Sequence, residues 1–309
     1  MNAAADMMQP RTLPTPEGLR GTLVADEPLA RHTSWRVGGP AERFYRPADL
    51  DDLAAFLAQL PAAELLTWIG LGSNLLVRDG GIRGTVIATS GLLNGLQRLD
   101  GNRVRAEAGV ACAKVAKFCA REGLAGGEFL CGIPGTMGGA LAMNAGAFGG
   151  ETWERVAAVE TLGRDGSRHR RSPEDYEIGY RHVRGPEGEW FVAAILALDE
   201  GDPATLQANI KALLARRGDT QPTNLPSCGS VFRNPTDDHA ARLIEAAGLK
   251  GRKLGGAQVS EKHANFIVNT GGARAADIEA LIDEVAETVR RVHGVSLIRE
   301  AHIVGERDD

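Results

Sequence analysis

The sequence lacks the features by which membrane-spanning and metal-binding chains are identified. Its longest apolar run, residues 191–198, is far shorter than the roughly 20 residues needed to cross a bilayer. The four cysteines form no CxxC pair and show no zinc-site spacing with histidine. We therefore expect reduced thiols and no bound metal.

Positive charge is not in excess either. The chain has 35 Lys and Arg against 40 Asp and Glu, a net charge of −5. Such a balance gives no general attraction for nucleic acid or an anionic membrane, so we expect neither partner. The first 18 residues contain no apolar segment of a signal peptide, and we interpret them as a flexible tail on a cytoplasmic, monomeric protein.

Glycine is abundant, with 39 residues among 309. It is concentrated in the turn GLGSN at 70–74 and in GIPGTMGGALAMNAGAFGG at 132–150. Neither segment has the spacing of a Rossmann fingerprint or a Walker P-loop. Each could be a plain turn or a packed irregular segment. Each also leaves bare backbone able to approach a flat or anionic ligand, and we favour ligand binding for the longer one.

Hydrophobic periodicity predicts an α+β chain. Because 309 residues are too many for one ordinary hydrophobic core, we expect two or three domains. Helices are predicted over 49–60, 111–122, 202–218, 239–247 and 275–293. Strands are predicted over 65–69, 85–89, 104–108, 155–162, 190–198, 263–268 and 296–304. The segment 126–150 leaves little room for regular structure.

Two polar residues are ambiguous from their local sequence. Ser230 follows a glycine but lacks a GxSxG context, so a structural role is the commoner explanation. Glu300 lies in the middle of the predicted strand 296–304, where alternation places Ile298 and His302 on its face. It is either half-buried with a raised pKa and a partner, or solvated at an edge.

Seven segments, in order, resemble the blocks of the MurB family of UDP-N-acetylenolpyruvoylglucosamine reductases. They are TSWRVGGPAERF (33–44), GLGSNLLV (70–77), GIPGTMGGALAMNAGAFG (132–149), GYR (179–181), GSVFRNP (229–235), KHANFIVN (262–269) and REAHIVG (299–305). Only 48 residues separate Arg181 from Ser230, so the chain resembles the shorter, type II subgroup, which lacks a long substrate-covering loop.

The resemblance implies a two-part FAD-binding region of the vanillyl-alcohol-oxidase-like type and an α+β substrate-binding domain. We expect FAD-binding subdomain 1 over 19–84 and 295–309, subdomain 2 over 85–200, and the substrate-binding domain over 201–294, after the tail 1–18. The last strand should return to the first subdomain. That return would bring Glu300 to the flavin.

The resemblance also implies an NADPH-dependent UDP-N-acetylmuramate dehydrogenase of peptidoglycan precursor synthesis. NADPH is expected to reduce non-covalent FAD, and flavin N5 then to deliver hydride to C3 of UDP-N-acetylglucosamine enolpyruvate. Arg181 would hold the substrate carboxylate, Ser230 would protonate C2, and Glu300 would stabilise the intermediate.

Further site residues follow from the matched blocks. FAD contacts are expected from Gly70, Gly72, Ser73, Asn74, Gly135, Thr136, Gly138 and Gly139. Substrate contacts are expected from Tyr180, Asn234, Lys262 and His263. Two alternatives stay open: a related FAD oxidoreductase such as a carbohydrate oxidase, with His32 as the early candidate for covalent flavin attachment, and a non-enzymatic FAD- or nucleotide-binding module.

Overall fold

The computed structural model describes residues 9–308. The first part of the chain forms a five-stranded sheet of order β1-β2-β3-β6-β4, in which β3, β6 and β4 are parallel. Its elements are β1 (Arg11–Thr12), β2 (Thr22–Pro28), β3 (Pro40–Arg46), α1 (Leu50–Gln59), β4 (Leu66–Ile69), β5 (Leu75–Val77) and β6 (Ile82–Ala88).

Helix α1 forms as its sequence predicts. The Asp49 side chain accepts the backbone N–H of Asp52 at 2.9 Å and so caps the N-terminus. The apolar residues at helical spacing, including Leu53 and Phe56, are buried, and the Phe56 ring stacks on Tyr45 at 3.6 Å between centroids. The helix thereby covers one face of the first sheet.

The second part forms an antiparallel sheet of order β13-β12-β16-β8-β7 with helices packed on one side. Its elements are β7 (Leu96–Leu99), β8 (Arg103–Glu107), α2 (Cys112–Arg121), β9 (Leu124–Ala125), α3 (Met137–Met143), β10 (Gly146–Ala147), β11 (Gly150–Glu151), β12 (Val156–Gly163), β13 (Arg168–Arg171), β14 (Glu177–Gly179), β15 (His182–Arg184), β16 (Glu189–Ala197) and β17 (Asp199–Glu200).

The third part packs a long helix on a small sheet of order β18-β19-β20. The elements from residue 203 onward are α4 (Pro203–Thr220), α5 (Ala240–Ala246), β18 (Lys253–Leu254), β19 (Ala257–Val259), β20 (Ile267–Asn269), α6 (Ala275–His293) and β21 (His302–Val304). Helix α6 has the bounds that its apolar periodicity predicts. It ends at Gly294, which adopts a left-handed φ of 70°.

The last strand returns to the first part of the chain. Strand β21 pairs in parallel with β5, with His302 opposite Leu75 and Val304 opposite Val77. The pairing begins directly after the glycine turn 70–74. It therefore places residues near 300 beside that turn.

Several sequence predictions need correction. Only 302–304 of the predicted strand 296–304 is a strand, because the residues before it bond to 231–233 instead. The segment 126–150 is not irregular: it contains a 3₁₀ helix at Glu128–Gly132 and helix α3. In α3 the burial of Met137 and Leu141 outweighs the helix penalty of its glycines.

Two packing observations bear on the predicted domain boundaries. Helix α4, assigned to the substrate-binding domain, packs on α2, and its Leu206 and Ile210 lie in the core of the second part. Residues 1–8 of the predicted tail lie outside the described residues. The remainder is attached to the sheet, because β1 pairs with β2 and the Leu13 N–H bonds to the Leu23 carbonyl at 3.0 Å.

Within residues 9–308, no helix combines the length and the apolar character needed to cross a bilayer. The same residues contain no cluster of three or more His, Cys, Asp or Glu side chains arranged to hold a metal ion.

A clasp of charged residues ties β5 to α6. Arg78 donates to both carboxylate oxygens of Glu279 at 2.9 Å each. Asp79 accepts the N–H groups of Ala275 at 3.0 Å and of Ala276 at 2.9 Å, which caps α6. The hydrogen bonds from Arg78 hold the pKa of Glu279 below its ordinary value.

Removing the charge of Glu279 should destabilise the fold. We expect Glu279→Gln to lower the free energy of unfolding at pH 7 by about 1.5–3 kcal/mol, the range for hydrogen bonds to charged groups. Because the folded pKa is depressed, this contribution is present above the unfolded pKa and is lost as pH falls through the folded one. Urea unfolding of both proteins between pH 7 and pH 3 measures the difference.

Glu287→Gln is the matched control, because Glu287 pairs with Arg290 on the same helix but both side chains are 59% exposed. It should leave stability nearly unchanged. Equal losses in the two variants would contradict a stabilising clasp.

Candidate active site

Three separate segments meet at one cavity of about 270 Å³, which we call the central cavity. It is lined by Arg181 at the tip of the β14–β15 hairpin, by Ser230, and by Glu300 just before β21. Ser73 and Asn74 of the glycine turn complete one wall. The structure thus brings together the three residues predicted to be catalytic and part of the predicted flavin turn.

Arg181 is fixed in place by its surroundings. Its backbone has a φ of 54°, a conformation that non-glycine residues seldom adopt. Its Nε donates to Glu300 Oε1, and its two Nη atoms donate to the carbonyls of Asn144 and Gly146, each at 3.1 Å. Glu151 Oε1 lies 3.5 Å from Nη1. Three of five N–H donors are used, which leaves two for a ligand.

Glu300 is half-buried, which is the first of the two alternatives that its sequence left open. Its side chain is 14% exposed, and Asn74 Nδ2 donates to its backbone carbonyl at 2.9 Å. Burial raises the pKa of Glu300, and the neighbouring Arg181 opposes that rise only in part. A larger fraction of this carboxyl is therefore protonated near neutral pH than in an exposed glutamate.

Ser230 lies on an extended segment held on both sides. The Val231 carbonyl accepts the N–H of Glu300 at 2.8 Å, and the Val231 N–H donates to the carbonyl of Asn265 at 2.9 Å. The Ser230 hydroxyl itself makes no hydrogen bond to any residue in 9–308. It is free to bond to a ligand in the central cavity.

The glycine turn presents its backbone to the cavities. Within the described part of the chain, none of the N–H groups of residues 70–74 donates a hydrogen bond. Gly72 has a φ of 64°, and a Cβ there would overlap the carbonyl of His32, so only glycine fits. Consecutive unbonded amides of this kind form a site for an anion such as a diphosphate.

A second cavity of about 280 Å³, the tryptophan cavity, is lined by the first residue of the turn, Gly70, whereas Ser73 and Asn74 line the central cavity. Gly70, Gly138 and Gly139 line it, together with Trp68 and Trp190, whose rings stack at 5.3 Å. Three buried polar atoms nearby have no hydrogen-bond partner in residues 9–308: Trp68 Nε1, Tyr176 Oη and Thr136 Oγ1. Buried polar atoms without partners are uncommon, and a polar ligand in this cavity would give Trp68 Nε1 and Tyr176 Oη a partner.

The remaining predicted flavin residues support the turn. A Cβ on Gly70 would overlap Thr136 Oγ1, and a Cβ on Gly135 would lie 3.2 Å from Ser73 Oγ. The segments 70–74 and 135–139 therefore pack with almost no side-chain volume between them.

The predicted substrate residues divide into two pairs. Tyr180 and Asn234 line the central cavity. Tyr180 is 47% exposed and its ring lies 4.9 Å from the Arg181 guanidinium, while Asn234 Oδ1 also accepts the Ala240 N–H at 3.1 Å.

Lys262 and His263 are not brought to this cavity. Lys262 Nζ donates to the Gly218 carbonyl in the last turn of α4. The helix dipole stabilises a cation at this position. His263 packs against Phe266 at 4.7 Å between ring centroids. Burial lowers the pKa of His263 and so favours its neutral form.

Arg217 is the cation that the sequence interpretation missed. It lines both the central cavity and a third one of about 300 Å³, the arginine cavity, which also contains Arg36 and Ser34. Its Nε donates to Gln221 at 3.1 Å, and among residues 9–308 no carboxylate pairs with it. Burial lowers the pKa of Arg217, yet the guanidinium stays charged. Its position at the end of α4 gave no local signal.

Asn144 is a second residue that was missed. It ends α3 in a left-handed conformation with φ 46°, and its side chain bonds to Glu151, to the Gly179 carbonyl and to the Trp153 N–H. Its own carbonyl accepts from Arg181. The sequence MNAG at 143–146 contains the signal, since asparagine tolerates a left-handed cap.

Comparison with known proteins is consistent with this geometry. Residues 41–172 match the model of an FAD binding domain, and residues 221–304 match the model of the UDP-N-acetylenolpyruvoylglucosamine reductase C-terminal domain. The second match begins after α4, as the packing of that helix suggests.

Full-length relatives agree. UDP-N-acetylenolpyruvoylglucosamine reductase of Alkalilimnicola ehrlichii is 67% identical over 93% of this chain and 96% of its own length. That of Methylococcus capsulatus is 64% identical over 93% and 94%. The crystal structure of the MurB protein of Thermus caldophilus superposes with a TM-score of 0.79 at 34% identity, covering 92% of this chain and 99% of its own.

These matches confirm the predicted α+β fold with a two-part FAD-binding region of the vanillyl-alcohol-oxidase-like type. The chain belongs to the MurB family of UDP-N-acetylenolpyruvoylglucosamine reductases, which are flavoprotein oxidoreductases of peptidoglycan synthesis.

Proposed function

We propose that this protein reduces UDP-N-acetylglucosamine enolpyruvate to UDP-N-acetylmuramate with NADPH and non-covalent FAD. The convergence of Arg181, Ser230 and Glu300 on one cavity carries the proposal. These residues supply a cation for a carboxylate, a proton donor, and a carboxyl with a raised pKa, which are the groups that reduction of an enolpyruvyl ether needs.

The residues present fit FAD. The unbonded amides of 70–74 suit its diphosphate. The stacked Trp68 and Trp190 and the orphan polar atoms of the tryptophan cavity suit its adenosine half, and later residues of the same turn line the central cavity. When bound and reduced by NADPH, FAD supplies the hydride that is added to C3 of the enolpyruvyl group.

Arg181 holds the substrate carboxylate. Its side chain lines the central cavity, and the carbonyls of Asn144 and Gly146 already position the guanidinium. A planar guanidinium binds a carboxylate through paired hydrogen bonds, and preorganised charge stabilises the negative charge that develops beside that group.

Ser230 donates the proton to C2. Its hydroxyl lines the cavity without another partner, so it can point at the substrate carbon. An alcohol is a weak acid and gives its proton only to a strongly basic centre, which the enolate-like C2 is.

Glu300 acts in its protonated form. Burial already raises the pKa of this carboxyl, and the arrival of the substrate carboxylate next to Arg181 adds a like charge that raises the pKa further. Protonated Glu300 can then donate a hydrogen bond to the oxygen that carries developing charge.

The UDP group occupies the arginine cavity. Arg217 and Arg36 line it without a nearby paired carboxylate among the described residues, and Arg217 also reaches the central cavity. The diphosphate is therefore assigned to these arginines in place of Lys262 and His263.

The domain scheme is adjusted accordingly. We propose FAD-binding subdomain 1 over 19–84 and 295–309, subdomain 2 over 85–220 including α4, and the substrate-binding domain over 221–294. We also propose that the protein is a monomer in the cytoplasm, as expected from its sequence. The four buried thiols are consistent with a reducing compartment.

The purified protein should be yellow and should release flavin on denaturation. NADPH oxidation, followed at 340 nm under anaerobic conditions, should depend on added UDP-N-acetylglucosamine enolpyruvate because the flavin must be reoxidised in each cycle. A flavin-loaded sample without substrate-dependent turnover would refute the proposed function.

Ser230→Ala should leave reduction of the flavin by NADPH within about twofold of the wild-type rate. Reoxidation by the substrate should slow by about 10²- to 10⁴-fold, the contribution of a positioned general acid. Stopped-flow absorbance measures the two half-reactions separately. Equal slowing of both would assign Ser230 a structural role.

The reoxidation rate should fall as pH rises through the pKa of Glu300, since only its protonated form donates. Because that pKa is raised, the falling limb should lie above the ordinary value of about 4.3 for glutamate. Glu300→Gln keeps a donor that does not titrate, so this limb should disappear. A profile from pH 5 to 9 that is unchanged in the variant would exclude the assignment.

A further inference from the structure

The segment that carries Ser230 is hydrogen-bonded on both sides. On one side, the side chain of Asn265 supplies two of the hydrogen bonds. Asn265 Oδ1 accepts the N–H of Phe232 at 3.0 Å, and Asn265 Nδ2 donates to the carbonyl of the same residue at 2.8 Å. The Asn265 carbonyl also accepts the N–H of Val231 at 2.9 Å. Asn265 therefore takes the place of a neighbouring strand for the two residues after Ser230.

The opposite side of the same segment holds Glu300. The Val231 carbonyl accepts the N–H groups of Glu300 at 2.8 Å and of Ala301 at 3.3 Å. A movement of residues 231–232 thus shifts Ser230 and Glu300 relative to each other. Their spacing depends on the position of this segment.

Asn265 is buried and outside the central cavity. It is 3% exposed, and Phe232, which it binds, is 1% exposed. Without its side chain, the Phe232 N–H and carbonyl would be buried with no partner, and such groups are strongly disfavoured. The segment would move to recover hydrogen bonds, and Ser230 would move with it.

We propose that Asn265 is a positioning residue that sets the distance between Ser230 and Glu300 for protonation of the substrate. The inference rests on the proposed function. Asn265 is not among the residues that line the central cavity, and it acts through Val231 and Phe232. Its loss should therefore affect the transition state of the second half-reaction more than binding, because a displacement of about 1 Å from a reactive geometry can cost about 10²-fold in rate.

The chain offers a matched control in Asn269, four residues away on β20. Asn269 is 9% exposed, and its side chain also bridges backbone groups. Nδ2 donates to the Trp35 carbonyl at 2.9 Å, and Oδ1 accepts the N–H groups of Gly271 at 2.9 Å and Ala273 at 3.3 Å. It resembles Asn265 in burial and bonding, but its side chain is not bonded to residues 230–232 or 300.

The test compares Asn265→Ala with Asn269→Ala in the flavin-loaded protein. Both should lose thermal stability to a similar extent. Only Asn265→Ala should slow flavin reoxidation by the enolpyruvyl substrate, by about 10- to 100-fold, with reduction by NADPH within about twofold. The Kd of UDP-N-acetylmuramate, from the flavin absorbance change, should stay within about threefold. Hydrogen exchange should show lost protection at 230–233 in Asn265→Ala alone.

Asn265→Asp provides a second variant if Asn265→Ala does not fold. It keeps the acceptor for the Phe232 N–H and loses the donor to the Phe232 carbonyl. Its reoxidation rate should therefore be lower than that of wild type and, where Asn265→Ala folds, higher than that of Asn265→Ala. Equal slowing by the Asn265 and Asn269 variants, or reoxidation within about twofold of wild type in both Asn265 variants, overturns the inference. Wild-type protein that turns over substrate while these variants fail the prediction leaves the proposed function intact; inactive wild-type protein refutes both.

Discussion

The candidate active site depends on the parallel pairing of β21 with β5. The register places His302 opposite Leu75, so Asn74 of the turn 70–74 and Glu300 lie side by side although they are 226 positions apart in the sequence. Asn74 bonds to both sides of residue 301, through its side chain to the Glu300 carbonyl and through its own carbonyl to the His302 N–H. A slip of one residue would direct the Glu300 side chain to the other face.

Charge balance inside the central cavity follows from that pairing. Arg181 lies between Glu300 and Glu151, and two backbone carbonyls hold its guanidinium. Two carboxylates already surround the single positive charge of Arg181 in this partly buried site, so a third unprotonated carboxylate is electrostatically unfavourable. Binding of an anionic substrate therefore favours proton uptake, and Glu300, whose pKa is raised by burial, is the residue suited to take it.

Elements with a strong local signal were predicted well. Helix α6 has the predicted bounds because apolar residues recur on one face and Gly294 ends it. The predicted strand 296–304 was mostly wrong because alternation of residue type does not reveal that residues 298–300 bond to 231–233. Lys262 and His263 were assigned to the diphosphate from a matched block, whereas their contacts with α4 and Phe266 are tertiary.

The sequence by itself determined the family and the two glycine segments that border the cavities, and it predicted Arg181, Ser230 and Glu300 as the catalytic residues. It could do so because ordered motifs and backbone-permissive glycines are local properties of the chain. Only the tertiary structure decided that Arg217 faces the central cavity, that α4 belongs to the second core, and that Asn265 holds the Ser230 segment. Those outcomes depend on contacts between residues distant in sequence, whose free energies come from burial and hydrogen bonding that exist only in the folded chain.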